Sequence, residues 1–457
     1  MDADVIVVGA GPTGLMLASE LRLAGVRPVV IERRPHLHDT PKANAVVGQI
    51  LQLLQYRGLL ERFEAASPAS GHFASAYPFG NIYLRFTGLA NPPVGMPLPQ
   101  PQLERLLDER AQELGAEIRR GHDFVGLRQD DTAVTAEVSG PDGCYQLTAP
   151  YLVGCDGPRS NVRKFAGIPF PGTTNPELNR LGRVTLTEPQ LLLDNGDLDV
   201  PGVGRIHPGF TYTDRGVFAF AKFSDGVLSM QTTEDDVTGV DDDAPLTLTE
   251  LGDSIRRVLG SALPLGEATR LSRYQLQARL AERYRDKRIF LAGDAAHQFP
   301  ATGIGLNVGM LDAVNLAWKL AASIHGWAPA GLLDSYHDER HFAGAAIASS
   351  RSPHRDVADL SHTARPIFLD LAGRTDLLET VRGWRDRIDI HVAQAEHPPA
   401  DALLIRPDAH VAWAATNGEP TGSAVPALQN ALSVWFGTSP VGKLDKPMKE
   451  APDERLA

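Results

Sequence analysis

Cysteine is nearly absent: Cys144 and Cys155 are the two in 457 residues. So few exclude a disulfide scaffold and suit a reducing compartment, so a cytoplasmic location is expected. There is no Cys-x-x-Cys, hence no dithiol redox centre. Neither the cysteines nor the fourteen histidines fall at metal-ligand spacing, and His354 to His362 is too sparse for a site. No apolar run approaches the length that spans a bilayer, and no leader pattern precedes the first strand-like run. Positive charge is in deficit, with a formal net charge of −12. That argues against nucleic acid or anionic membrane as a main partner. No internal repeat is visible. What remains is 43% hydrophobic and 22% charged, ordinary for a soluble globular protein, at a length that implies more than one domain.

Against this plain background one stretch stands out. Val5-Ile6-Val7-Val8 is a β-branched run feeding Gly9-Ala10-Gly11-Pro12-Thr13-Gly14, then the helical pattern from Leu15 to Ala18. A second apolar run, Val29-Val30-Ile31, ends in Glu32 and then Arg33. Strand, glycine turn, helix, strand and acid form a dinucleotide-binding fingerprint in its required context. Gly9 permits the tight turn, Gly11 lets backbone approach a pyrophosphate, and Gly14 lets the helix pack close on the strand. The helix N-terminus offers N–H groups and positive dipole to phosphate. Glu32 is placed to accept hydrogen bonds from a ribose diol.

Further along, a helix is expected over roughly 45–63. Aromatics among Gly and Pro (Phe73, Tyr77, Phe79, Tyr83, Phe86) suggest short strands of a different sheet. Helical spacing returns with Leu103, Leu106, Leu107 and Ala111. Strands then run through a hairpin at Pro141-Asp142-Gly143 to Tyr151-Leu152-Val153. A second β-rich stretch includes Arg183–Leu186, Phe210–Tyr212, Val217–Phe223 and Val227–Thr232. Two more segments carry chemistry. One is Gly154-Cys155-Asp156-Gly157, followed by Arg163. The other is the strand Ile289-Phe290-Leu291 ending at Gly293-Asp294-Ala295-Ala296-His297. It leads through Pro300-Ala301-Thr302-Gly303-Ile304-Gly305-Leu306-Asn307 into a helix over Val308–Ile324. A carboxylate at a strand end can hold a polyol, and a glycine loop opening a helix presents N–H groups to an anion. These are the needs of FAD: ribityl hydroxyls at Asp294, and the flavin pyrimidine edge at the N–H groups of Leu306 and Asn307.

With these three motifs in order, and Asp334-Ser335-Tyr336-His337-Asp338-Glu339-Arg340 beyond them, the chain resembles single-component flavoprotein monooxygenases. These are the enzymes of the para-hydroxybenzoate hydroxylase type, especially aromatic polyketide hydroxylases of antibiotic pathways. The resemblance covers about residues 1–345 well. It implies an α/β fold in which a Rossmann-type FAD-binding domain (1–70, 97–171 and 279–350) is interleaved with a β-rich substrate domain (71–96 and 172–278). A shortened thioredoxin-like region follows (367–438), with packing or assembly as its role, then a disordered tail (439–457). It also implies an NADPH or NADH donor, dioxygen, a small aromatic substrate and a monomer or homodimer. Oxygen would pass from a flavin hydroperoxide to a polycyclic phenol or quinone.

By position, the resemblance adds Gln100 at the ribityl or phosphate region, Lys42 near the pyrophosphate, and Asp156, Pro12 and Thr13 around the nucleotide. Lysine at 42 gives charge without the bidentate fork of the arginine usual there. Gln49 replaces another arginine, and Thr302 and Ile304 depart from the family loop beside the flavin. Pro300, His297 and Arg279 are the catalytic candidates, although His297 reads more simply as structural and Arg279 equally as a domain-bridging ion pair. Phe73, Tyr83, Phe210, Tyr212 and Phe220 are candidate substrate walls, with sheet packing the simpler role for the two tyrosines. Glu339 and Arg340 read as a helix-surface pair or a brace. Baeyer–Villiger insertion or ring rearrangement, and an FAD reductase without oxygen activation, stay open. A flavin halogenase is disfavoured because the five tryptophans form no Trp-x-Trp pair.

Overall fold

The computed structural model describes residues 1–37, 43–68, 76–79, 82–85, 95–224, 226–235, 245–299, 304–341, 364–392, 400–408 and 410–438. In 76–79 and 82–85 only the backbone is described. The chain divides into two compact units. The first comprises Met1–Ser19, Pro28–Gln52 and Leu60–Ala313, the second Glu20–Arg27, Leu53–Leu59 and Val314–Ala457.

The first unit is built around two sheets. Val5–Val8 sits inside a sheet with Pro28–Glu32 on one side and Tyr151–Gly154 on the other, all parallel. Glu117–Arg120 extends it beyond Pro28–Glu32, and Ile289–Leu291 extends it beyond Tyr151–Gly154, again in parallel. Val5, Ile6, Val7, Ile31, Leu152, Val153, Ile289 and Phe290 are all buried. The unbroken apolar runs read from the sequence therefore belong to strands covered on both faces. Connections leave Val5–Val8 and its neighbours in opposite directions, so the strand order reverses there, the place where such sheets bind ligands.

The second sheet is antiparallel, in the order Gly209–Thr213, Gly216–Ser224, Val227–Glu234, Gly172–Leu186, Leu265–Leu280 and His297–Gln298. Helix Leu248–Leu259 covers one face, started by the Thr247 cap and ended at Gly260 with φ +82°. Beneath it lie Val184, Phe218, Phe220, Leu228 and Met230 with Leu251, Ile255 and Val258. A buried ionic ladder joins helix and sheet there: Arg180 donates to Glu234 and Glu250, both at 2.8 Å, and Arg273 also donates to Glu250.

Two expectations change. Residues 45–63 are not one helix: Ala45–Val47 is a strand paired with Gly95–Pro97, followed by helices Gln49–Tyr56 and Leu60–Ala65. The break comes at Gly48, whose φ of +69° a helix interior cannot hold. The long helix starts at Ile304, earlier than expected.

In the second unit, Asp389–Val392, Ile367–Asp370, Ala402–Ile405 and Val411–Ala415 form a four-stranded sheet in that order. The first pair is parallel and the next two are antiparallel. Helices Thr375–Val381 and Thr421–Phe436 belong to the same unit. Its core joins Phe368, Leu377, Trp384, Leu404, Leu428 and Phe436 to Trp318, Ala322 and Leu332. Glu339 is no surface partner of Arg340. It is a brace within this unit, accepting from Arg406 at 2.6 Å, Lys319 at 2.8 Å and Asn315 at 2.8 Å.

Candidate active site

The site builds up at the C-terminal ends of the parallel strands. Gly9 has φ +105°, and a Cβ there would stand 2.4 Å from the Cys155 carbonyl oxygen. A Cβ at Gly14 would stand 1.9 Å from the Gly9 oxygen. Both glycines are thus forced by backbone contact. Gly11 differs: nothing lies within 4 Å of its would-be Cβ. The open space sits where a diphosphate would meet the first turn of helix Pro12–Leu23. Glu32 ends its strand with one carboxylate oxygen on the Ala10 N–H at 2.8 Å and the other on the Arg34 N–H at 2.9 Å. The carboxylate is thereby held at the glycine turn, with lone pairs left for hydroxyl donors. Arg33 is exposed.

The second and third motifs close on the first. Thr13 is wedged between two glycines. A Cβ at Gly293 would lie 2.6 Å from its Oγ1, and one at Gly309 would lie 2.5 Å from it. Gly293 itself has φ +63°. Asp294 is exposed at the strand end, and its Oδ1 lies 3.1 Å from the Cβ position of Gly305. The acid and the start of helix Ile304–Ile324 are therefore adjacent. Asn307 is buried and its Oδ1 accepts the Val47 N–H at 2.9 Å. Gln100 donates to Glu104 at 2.7 Å and its own N–H bonds the Ala43 carbonyl at 2.9 Å. Leu306 is half-buried beside these groups. Lys42 and Pro300 lie outside the described residues.

Asp156 caps the short helix Asn161–Phe165, its Oδ2 accepting the N–H groups of Asn161 at 2.7 Å and Val162 at 3.1 Å. Burial pushes its pKa up, against hydrogen bonds from Ser160, Val162 and Asn161 that pull it down. Its Oδ1 is buried with no partner among the described residues. Arg163 donates to the carbonyls of Ala295 at 2.8 Å and Pro158 at 2.9 Å, tying the Asp156 turn to the Asp294 turn. Burial pushes the Cys155 thiol well up, helped by the charges of Asp156 and Asp312, so it stays a packed thiol.

Of the catalytic candidates, His297 is 1% exposed. Its Nε2 meets Asp312 Oδ2 at 2.7 Å, and the same oxygen accepts the Gly293 N–H at 3.0 Å. That is a clamp between the Asp294 turn and the long helix. Arg279 makes no ion pair among the described residues. It donates to Gln277 at 3.1 Å, the Phe170 carbonyl at 3.3 Å and Thr174 at 3.0 Å.

Strand parity separates the aromatic candidates. Phe210 and Tyr212 stack at 6.4 Å between ring centroids and lie on the face opposite helix Leu248–Leu259. Phe220, one register step away, is 3% exposed in the core beneath that helix. Phe73 and the Tyr83 side chain lie outside the described residues. The face of Phe210 and Tyr212 also carries a polar group absent from the sequence reading. Asn179 Oδ1 accepts from Thr233 at 2.8 Å and Gln231 at 3.1 Å, and Tyr274 donates to Gln231 at 3.2 Å. Arg183 donates to Asn44 at 3.3 Å. Alternation within Leu178–Val184 was the available signal, because it places Asn179, Leu181 and Arg183 together.

Residues 2–350 match the family model described as FAD binding domain, and residues 342–439 that described as aromatic-ring hydroxylase, C-terminal. The 12-dehydrotetracycline 5-monooxygenase/anhydrotetracycline 6-monooxygenase of Streptomyces rimosus subsp. rimosus is 35% identical, covering 96% of this chain and 99% of that protein. The dialkyldecalin synthase of Streptomyces rugosporus is also 35% identical, covering 96% and 99%. The solved structure of OxyS anhydrotetracycline hydroxylase from Streptomyces rimosus matches with TM-score 0.80 at 33% identity, covering 96% of this chain and 100% of that one.

Proposed function

The chain belongs to the FAD-dependent aromatic-ring hydroxylases, which are flavoprotein monooxygenases, and from that premise we propose that it hydroxylates a polycyclic, polyketide-derived phenol or quinone with NAD(P)H as donor. The supporting observation is that three sequence-distant motifs meet at the point where the parallel strand order reverses. We assign 1–70, 97–171 and 279–350 to the FAD domain, 71–96 and 172–278 to the substrate domain, and 367–438 to packing.

Bound FAD supplies the redox chemistry and the activation of dioxygen. The residues divide the remaining work. Gly11 and the first turn at Pro12 and Thr13 receive the diphosphate, with Lys42 and Arg33 adding charge. Glu32 accepts from the ribose hydroxyls, and Asp294 and Gln100 hold the ribityl chain. The N–H groups of Gly305, Leu306 and Asn307 face the pyrimidine edge, where the helix dipole stabilises negative charge. Asp156 keeps the neighbouring turn in shape. Phe210 and Tyr212, with Phe73, Tyr83 and Pro300, exclude water from the ring, and Phe220 serves as packing behind them. The protein works in the cytoplasm as a monomer or homodimer, without nucleic acid.

A second reading has a definite source. The dialkyldecalin synthase is as similar as the hydroxylases, and its name gives it a synthase activity. One experiment separates the two. Purified protein is reduced anaerobically by NADPH with and without a polycyclic phenol, oxygen is admitted, and the product is weighed. We expect yellow protein carrying FAD, reduction accelerated by the phenol, and a mass gain of one oxygen atom. A rearranged product of unchanged mass supports the synthase reading. Colourless protein that cannot be reconstituted overturns both.

A further inference from the structure

The second unit holds a cavity of its own, of about 340 Å³, lined by Gly326, Trp327, Arg387, Ser433 and Thr438 among others. That volume suits a compact small molecule. Two helix ends shape it. Helix Ile304–Ile324 gives way at Gly326, whose φ of +75° turns the chain so that the Trp327 N–H reaches back to the Ala322 carbonyl at 3.0 Å. Helix Thr421–Phe436 stops at Gly437, φ +76°. A Cβ there would stand 2.6 Å from the Trp327 carbonyl oxygen and 3.3 Å from Arg387 Nη1, so glycine is what lets the two ends meet. Trp384 donates to the Gly437 carbonyl at 2.7 Å and fixes the junction.

The walls combine an indole with a cation. Trp327 is half-buried, its ring centroid 6.4 Å from that of Phe436 in the core of the unit. The Arg387 guanidinium carbon lies 6.0 Å from the Trp327 ring centroid. Arg387 Nη1 donates to the carbonyls of Phe436 at 2.7 Å and Thr438 at 3.2 Å. Its Nε meets Asp386 at 3.3 Å, but that carboxylate is 53% exposed, so water screens the pair. Nη2 has no partner among the described residues. The guanidinium is therefore anchored on one side and keeps donors on the other. Ser433, on the same lining, adds a hydroxyl.

We propose that this cavity is a second small-molecule site, which binds a planar aromatic carboxylate with its ring against Trp327 and its charge at Arg387. Guanidinium geometry matches a carboxylate, and a desolvated charge-assisted bond there is stronger than a neutral one. A bare inorganic anion would leave the indole unused. The site lies within the second unit and does not depend on the flavin reading.

2-Naphthoate and its neutral amide are the probes, titrated calorimetrically into full-length holoenzyme. Wild-type protein binds the acid about tenfold tighter than the amide. Arg387→Gln removes that preference, and Arg387→Lys, which keeps a charge, retains part of it. Ser433→Trp fills the cavity from an exposed helix position and weakens both probes about tenfold or more. Arg387→Gln also gives up the bonds to Phe436 and Thr438, so Ser433→Trp, which keeps them, carries the test if that variant does not fold. Melting temperature reports folding of each variant. Wild-type protein that binds neither probe, or binds acid and amide alike, overturns the proposal. So does Ser433→Trp protein of wild-type affinity, because the acid would then bind elsewhere, the flavin site included.

Discussion

At the scale of single residues, two aspartates near the third motif do opposite things. Asp294 is exposed; Asp312 is fully buried and holds the turn through the Gly293 N–H. Removing the Asp312 carboxylate strands the Gly293 N–H and His297 Nε2. Stranded buried donors cost roughly 1–3 kcal/mol each. Asp312→Ala should therefore lower unfolding free energy by about 2–6 kcal/mol and weaken FAD retention indirectly. Asp294→Ala, at an exposed position, should cost less stability than Asp312→Ala and release FAD. Urea unfolding and flavin content, measured on both variants, check this; full FAD occupancy in Asp294→Ala would count against its assignment. Asp294 was legible in the sequence because its signal is local, a strand followed by Gly-Asp. Asp312 was not, since it depends on partners that only helix packing brings together.

Elements were legible where period and punctuation agreed. Val5–Val8, Pro28–Glu32, Tyr151–Gly154 and Ile289–Leu291 were visible as apolar runs. The strand Ala45–Val47 was hidden because its pairing with Gly95–Pro97 is non-local and only three residues long. Within the second unit, Lys319 of helix Ile304–Ile324 has no side-chain exposure. Burial draws its pKa down from 10.5 to about 8, against the opposing pull of Glu339. Between those two pH values the unfolded chain binds the proton that the folded one has released. The stability assigned to Lys319 therefore rises as pH climbs from about 8 toward 10.5. Below 8 the cost of burying the ammonium is present in full. Relative to Lys319→Met, the wild-type protein should gain stability over this window by up to about 3 kcal/mol. Subtracting the variant's curve removes other titrating groups, such as Tyr56, whose hydroxyl burial pushes up to about 12. Parallel pH profiles for the two proteins would show that Lys319 titrates normally.

For the whole molecule, the question is what the C-terminal stretch contributes. The anhydrotetracycline 6-monooxygenase relative aligns over 514 positions although this chain has 457 residues, so that protein holds stretches without a counterpart here. The sheet Ile367–Ala415 and helix Thr421–Phe436 nevertheless keep a continuous apolar core with Trp318, Ala322 and Leu332. Arg406 and Asp408 complete the ionic brace at Glu339 and Asn315. The packing role proposed for this region rests on that core and that brace. A chain ending after His341 would leave Trp318, Ala322 and Leu332 without their apolar cover, and Lys319 and Glu339 without Arg406. Exposing three such side chains costs several kcal/mol, roughly 1.5–3 for each large one, a large share of the stability of a typical domain. The truncated chain should be recovered aggregated, or soluble with lost cooperativity in calorimetry. A soluble, FAD-loaded truncation melting like the full chain would mean that the C-terminal unit is dispensable to the fold.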